Sequence, residues 1–132
     1  MITRLLIVDD NPINLKLAAE LLEIDGYLVE RAVDAEHAAE LLKHFVPDMI
    51  LMDIALPGID GLTFTRMLKA DERLKHVPVV AITAFAMKGD EKKAFDAGCA
   101  GYITKPIDTR QFSLQVAAFL PPDNRMQDGS QT

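Results

Sequence analysis

The chain has one cysteine, Cys99, and no tryptophan. A single cysteine excludes an intrachain disulfide and suits a reducing compartment. Cys99 stands between Gly98 and Ala100, where a small packed residue is expected rather than a reactive thiol. No apolar stretch approaches the roughly 20 residues of a membrane-spanning helix. The apolar run near the start, Leu5-Leu6-Ile7-Val8, is too short for a signal-peptide core and runs into Asp9-Asp10. The expectation is a cytoplasmic protein without membrane insertion. Basic residues are also scarce, with 14 Lys and Arg against 20 Asp and Glu and a net charge of −6. A nucleic-acid reader needs a basic footprint, so direct nucleic-acid binding is not expected. Neither Gly-x-x-x-x-Gly-Lys-Ser/Thr nor Gly-x-Gly-x-x-Gly occurs, which removes P-loop and Rossmann enzymes. His37, His44 and His76 are scattered without ligand spacing.

What remains is an ordinary globular composition over 132 residues, one domain's worth. Short apolar runs alternate with helical patterns. Leu5–Val8 reads as a strand buried on both faces. Asn11 offers an N-cap and Pro12 an N1 residue, and the helix with Leu15, Ala18, Ala19 and Leu22 inward stops at Gly26. Tyr27–Ala32 reads as a second strand. Asp34 caps a helix that turns Ala38, Leu41, Leu42 and Phe45 inward, and Pro47 breaks it. Asp48–Met52 is the third strand, followed by the turn-rich Leu56–Gly61 and a helix over Leu62–Ala70. Asp60 is read as a turn or helix cap. Pro78–Ile82 is the fourth strand, and a helix from about Gly89 to Ala97 ends at Gly98. Gly101–Thr104 is the fifth strand. Asp108 caps a last helix with Phe112, Val116, Phe119 and Leu120 on one face, ended by Pro121-Pro122. Five strands alternating with five helices predict a doubly wound α/β domain with a parallel sheet and right-handed crossovers. The domain is expected over residues 1–121, with a polar, flexible tail over 122–132. The start at Met1 and that tail suggest a protein that stands alone.

In such a sheet, ligands bind beyond the carboxyl ends of the strands. The first strand ends in Asp9 and Asp10, the third in Asp53, the fourth in Thr83 and the fifth in Thr104-Lys105-Pro106. One rim therefore collects three carboxylates, a hydroxyl and an ammonium. Carboxylates crowded together resist ionising together, and a hard divalent cation with a preference for oxygen relieves that. Lys105 brings a point positive charge suited to a phosphate. Thr83 brings a hydroxyl donor. An aspartate among metal, ammonium and hydroxyl suits phosphoryl acceptance.

These motifs resemble the CheY-like receiver domains of two-component response regulators. The residues that carry the resemblance are Val8-Asp9-Asp10-Asn11, Met52-Asp53-Ile54-Ala55-Leu56-Pro57-Gly58-Ile59-Asp60-Gly61, Ile82-Thr83-Ala84 and Tyr102-Ile103-Thr104-Lys105-Pro106. They stand in the family's order and cover about residues 3 to 120. The Phe85–Glu91 stretch further resembles DivK-like single-domain receivers. The resemblance implies a flavodoxin-like (βα)5 fold with strand order 2-1-3-4-5. It implies Asp53 as phosphoacceptor, and Mg2+ held by Asp10, Asp53 and the Ala55 backbone carbonyl, with Asp9 assisting through water. Lys105 would contact the phosphoryl group, Thr83 would bond to it and move, and Tyr102 would turn inward as Thr83 moves. The Lys105–Pro106 peptide would be cis. The implied donor is a histidine kinase or histidine phosphotransfer protein. The implied readout is a downstream protein bound to the face of the fourth helix, fifth strand and fifth helix, where Lys88, Lys92 and Lys93 lie.

Two other readings compete. A phosphatase of the haloacid dehalogenase type also uses a strand-end aspartate with Mg2+, but it needs a second aspartate two residues on as general acid. Here that position is Ala55. A receiver fold used purely for interaction, without phosphorylation, is the alternative function. Apolar residues stand two after the acceptor (Ala55) and two after Thr83 (Phe85). Because side chains at those positions help or hinder the hydrolytic water in the family, a longer-lived phosphoryl state than in the chemotaxis regulators is expected.

Overall fold

The five apolar runs form β1 (Arg4–Val8), β2 (Leu28–Ala32), β3 (Met49–Asp53), β4 (Val79–Thr83) and β5 (Gly101–Thr104). The computed structural model describes residues 2–84 and 89–120. All strand pairings are parallel, in the order β2-β1-β3-β4-β5. Alternating side chains point to opposite faces, so a strand covered on both sides must be apolar throughout. Every residue of β3 and β4 is buried. Leu6, Val8, Ile50, Met52, Val79 and Ala81 pack on one face with residues of α2 (Ala35–Leu42), α3 (Gly61–Lys69) and α4 (Asp90–Ala97). Leu5, Ile7, Met49, Leu51, Val80 and Ile82 pack on the other with α1 (Pro12–Ile24) and α5 (Phe112–Phe119).

The caps explain where most helices begin and end. Asn11 Oδ1 accepts from the amides of Ile13 and Asn14 at 3.0 and 3.1 Å, with Pro12 at N1. Asp34 and Asp60 accept from the amides of His37 and Thr63, at 2.7 and 2.9 Å. Asp60 is thus a cap, as expected. Gly98 ends α4 at φ +110°, a left-handed position that glycine takes without strain.

Several boundaries differ from the sequence reading; β3 and β4 each run one residue later, and α3 one residue earlier, than expected. The second strand opens at Leu28, and Tyr27 is buried just before it. Helix α2 stops at Leu42, before Phe45: the Lys43 and His44 amides turn back to Glu40 and Leu41, and the Arg73 guanidinium donates to the Leu42 carbonyl oxygen. Phe45 is half-buried beyond the helix end and lies under the Arg4 guanidinium. Asp108 does not cap α5. Its carboxylate accepts from the Arg110 amide at 2.9 Å and its carbonyl from the amides of Gln111 and Phe112, so it opens a turn ahead of the helix. Phe112, Val116 and Leu120 are buried, and the half-buried Phe119 ring covers Gly101, where a Cβ would meet it at 2.3 Å. The expected Pro121-Pro122 stop, the tail, Phe85 and Lys88 lie outside the described residues. Among the described residues, no helix is long and apolar enough to cross a membrane.

Candidate functional site

Strand ends place the site. Asp9 follows β1, Asp53 closes β3, Thr83 closes β4 and Lys105 follows β5. Parallel pairing brings these ends to one rim: Asp53 stands opposite Ile82, and Thr83 opposite Thr104. The Lys105 amide donates to the Thr83 carbonyl at 2.7 Å, which fixes where the lysine leaves the sheet. The Lys105–Pro106 peptide is cis.

Lys105 Nζ lies 3.0 Å from Asp9 Oδ2 and 3.1 Å from Asp53 Oδ2, joining residues 96 and 52 positions apart in the chain. The remaining oxygens are held by the backbone. Asp9 Oδ1 accepts from the Asn11 amide and Asp53 Oδ1 from the Ala55 amide, each at 2.9 Å. Both carboxylates are nearly buried, with 6% and 7% of their side chains exposed, and the lysine side chain is 14% exposed. Asp10 is exposed beside them.

The electrostatics follow from this crowding. Burial raises the Asp9 carboxyl above its ordinary pKa, against the Asn11 amide and the Lys105 ammonium, which lower it, and Asp53 adds to the rise. Burial opposes the charge on Lys105, but the bonds to Asp9 and Asp53 outweigh it and its pKa is raised. One carboxylate oxygen from each of Asp9, Asp10 and Asp53 lies within 4.8 Å of the others. Three carboxylates against one ammonium form an all-oxygen donor set with excess negative charge. That fits a hard divalent cation and not a soft or nitrogen-seeking metal.

The other residues singled out in the sequence are spread over the domain. Thr83 is buried. Tyr102 stands opposite Ala81, two residues before Thr83, and so on the same face of the sheet. It is half-buried, and burial, with the Asp90 and Glu91 carboxylates, raises its pKa. Ala55 is exposed. Cys99 is buried, its thiol pushed up by burial, as a packed residue should be. Lys92 pairs with Asp96 at 2.8 Å across one exposed turn of α4, the bland role of a solvated helix face.

An acid-rich rim bridged by one lysine crowns a 2-1-3-4-5 parallel sheet, and the family it matches is one of signalling proteins rather than classical enzymes. The chain belongs to the response regulator receiver domain family, whose model matches residues 5–117. It is 45% identical to the polar-differentiation response regulator DivK of Brucella ovis over 120 residues, 91% of this chain and 98% of that one. The receiver domain of sensor histidine kinase PA1611 from Pseudomonas aeruginosa, with a magnesium ion coordinated in its active site cleft, superposes with a TM-score of 0.81. That match has 32% identity and covers 90% of this chain and 98% of the other. The chemotaxis response regulator CheY4 of Vibrio cholerae shares the fold, with a TM-score of 0.86 at 22% identity over 91% of this chain and all of that one.

Proposed function

We propose that this receiver accepts a phosphoryl group from a phosphohistidine donor onto Asp53, with Mg2+, in the cytoplasm, and that the modification switches binding to a partner protein. The observation that carries the reading is the Lys105 ammonium, held within 3.1 Å of Asp53 and 3.0 Å of Asp9 on a rim with two more carboxylates than cations. A carboxylate oxygen of Asp53 attacks the phosphorus, and the P–N bond to the donor imidazole breaks. The chain thereby assists its own phosphorylation without being a conventional enzyme. Lys105 neutralises phosphoryl charge as it arrives. Asp10, Asp53 and the Ala55 carbonyl would hold Mg2+, with Asp9 assisting through water. Bound there, the ion offsets the negative charge of the carboxylates and of the incoming phosphoryl oxygens.

The switch needs contacts made in one state only. Bonds from Thr83 and Lys105 to a phosphoryl group, at roughly 1.5–3 kcal/mol each, give roughly 3–6 kcal/mol. Throwing an equilibrium from 1:99 to 99:1 takes roughly 5.5 kcal/mol. Tyr102 follows Thr83 inward. The face of α4, β5 and α5 then reads the change, with Phe95 and Leu114 exposed on its two helices. A histidine kinase or histidine phosphotransfer protein is the donor. The receiver unit spans residues 1–121 and the tail 122–132. The apolar Ala55, two residues past the acceptor, supports a phosphoryl state longer-lived than in chemotaxis regulators.

Intact mass after incubation with Mg2+ and acetyl phosphate tests the reading. One added phosphoryl group, lost in Asp53→Asn and lost without Mg2+, is expected. No adduct together with no Mg2+ binding would leave the receiver fold as an unphosphorylated interaction module.

A further inference from the structure

Gly61, the first residue of α3, is buried, and its backbone is not left-handed. Conformational freedom is therefore not what a glycine supplies here; space is. A Cβ at this position would stand 2.2 Å from the Asp53 carbonyl oxygen, 2.9 Å from Ile54 Cα and 3.0 Å from the Asp53 carbonyl carbon. All three are backbone atoms, so no side chain can rotate aside. The segment would have to shift by about 1 Å to reach ordinary contact at 3.4 Å.

That segment cannot shift freely. The Gly61 amide donates to the Ile54 carbonyl at 3.0 Å, closing the loop between β3 and α3. The Ile54 amide donates to Ile82 of β4 at 3.2 Å. The next amide, of Ala55, donates to Asp53 Oδ1 at 2.9 Å. The Asp53–Ile54 peptide is thus held by β4 on one side and by the start of α3 on the other. Gly58, in the same loop, is the opposite case: its φ is +71° and a Cβ there would meet nothing within 4 Å.

We infer that Gly61 is a positioning residue for the acceptor site: α3 seats its first Cα against the Asp53–Ile54 peptide, and this contact sets the Asp53 carboxylate and the Ala55 backbone. The inference rests on the reading of Asp53 as acceptor. A 1 Å displacement near reacting atoms can cost about 100-fold in rate, so a single methyl group should be felt.

The test compares Gly61→Ala with Gly58→Ala. The second variant strains the same loop through its positive φ without approaching Asp53, and so controls for loop stability. The readouts are Mg2+ affinity by calorimetry, the rate of adduct formation with acetyl phosphate, and the Ala55 amide resonance of the metal-free protein. Gly61→Ala should move the Ala55 resonance, weaken Mg2+ binding about tenfold and slow phosphorylation about 10–100-fold. Gly58→Ala should leave Mg2+ affinity and rate within about twofold of wild type. An unmoved Ala55 resonance with unchanged Mg2+ affinity in Gly61→Ala, or equal losses in both variants, would overturn the inference. If Gly61→Ala does not fold, Asp60→Ala decides, because it keeps the glycine and removes the 2.9 and 3.0 Å cap bonds to Thr63. Its Mg2+ affinity should fall about threefold, and an unchanged affinity would sink the proposal. A wild type that takes no phosphoryl group and binds no Mg2+ defeats the acceptor reading, while the metal-free Ala55 resonance still judges the Gly61 contact.

Discussion

At the amino end of the sheet, Arg4 lies between Glu30 at 3.7 Å and the ring of Phe45, 4.3 Å from its centroid. The Arg4 and Asp48 backbones bond reciprocally through the Asp48 carboxylate at 2.8 Å and the Arg4 carbonyl at 2.7 Å. The Arg4–Glu30 ion pair is more than a third exposed on each side. At the carboxyl end, one lysine faces three carboxylates, two of them almost wholly buried. The first cluster ties chain segments together. The second gathers like charge where water screens it poorly, an arrangement that costs stability and is useful only if something cationic or phosphorylated arrives.

The largest expected effect is at the carboxyl end. Removing one partner of a buried ion pair typically costs about 3–5 kcal/mol. The rim opens to solvent at Asp10, so we expect Lys105→Met to lose about 2–3 kcal/mol in EDTA. Mg2+ should recover more stability in this variant than in wild type, because the carboxylates then lack their ammonium. Urea titrations with EDTA and with Mg2+ measure both quantities. A loss no greater than that of Arg4→Ala would erase the contrast between the two ends.

Arg4→Ala should cost about 1 kcal/mol, from a half-exposed cation–π contact and a long ion pair. The buried Arg4 Nε, which has no hydrogen-bond partner among the described residues, keeps this figure low, since its desolvation is relieved at the same time. Mg2+ affinity should stay as in wild type. A change in that affinity would mean that the two ends are coupled through β1.

The carboxyl end was legible in the sequence because strand ends carry it. Asp9, Asp10, Asp53, Thr83 and Lys105 each follow a recognisable apolar run, and parallel topology makes such ends converge. The amino-end cluster was not legible. Arg4, Glu30, Phe45 and Asp48 share no spacing, and they meet only through the register Arg4↔Leu28 and Leu5↔Met49. The spacing of Phe45 from Leu41 and Leu42 allows a helical place for it. The helix instead closes with a tighter turn at Lys43 and His44, and the Leu42 carbonyl is met by Arg73, 31 residues beyond it. The motif around Asp53 includes Gly61, but turn chemistry could not distinguish an open glycine from one pressed against backbone. That difference exists only in three dimensions.

The smallest expected effect separates stability from function most cleanly. Asp10 is exposed, and among the described residues its carboxylate has no hydrogen-bond or ion-pair partner. It nevertheless offers an oxygen within 4.8 Å of oxygens of Asp9 and Asp53. Like charges at that separation, largely in water, repel by about 0.5–1 kcal/mol. Asp10→Ala should therefore make the metal-free protein more stable by about that amount in urea titration with EDTA. In saturating Mg2+ the order should reverse, because a ligand that binds only the native state adds RT ln(1 + [L]/Kd) to wild type and little to a variant lacking one carboxylate. A variant less stable in EDTA would mean that Asp10 supports the fold directly. A variant that keeps the full Mg2+ increment would remove Asp10 from the metal site and leave the acid excess of this rim without the use proposed for it.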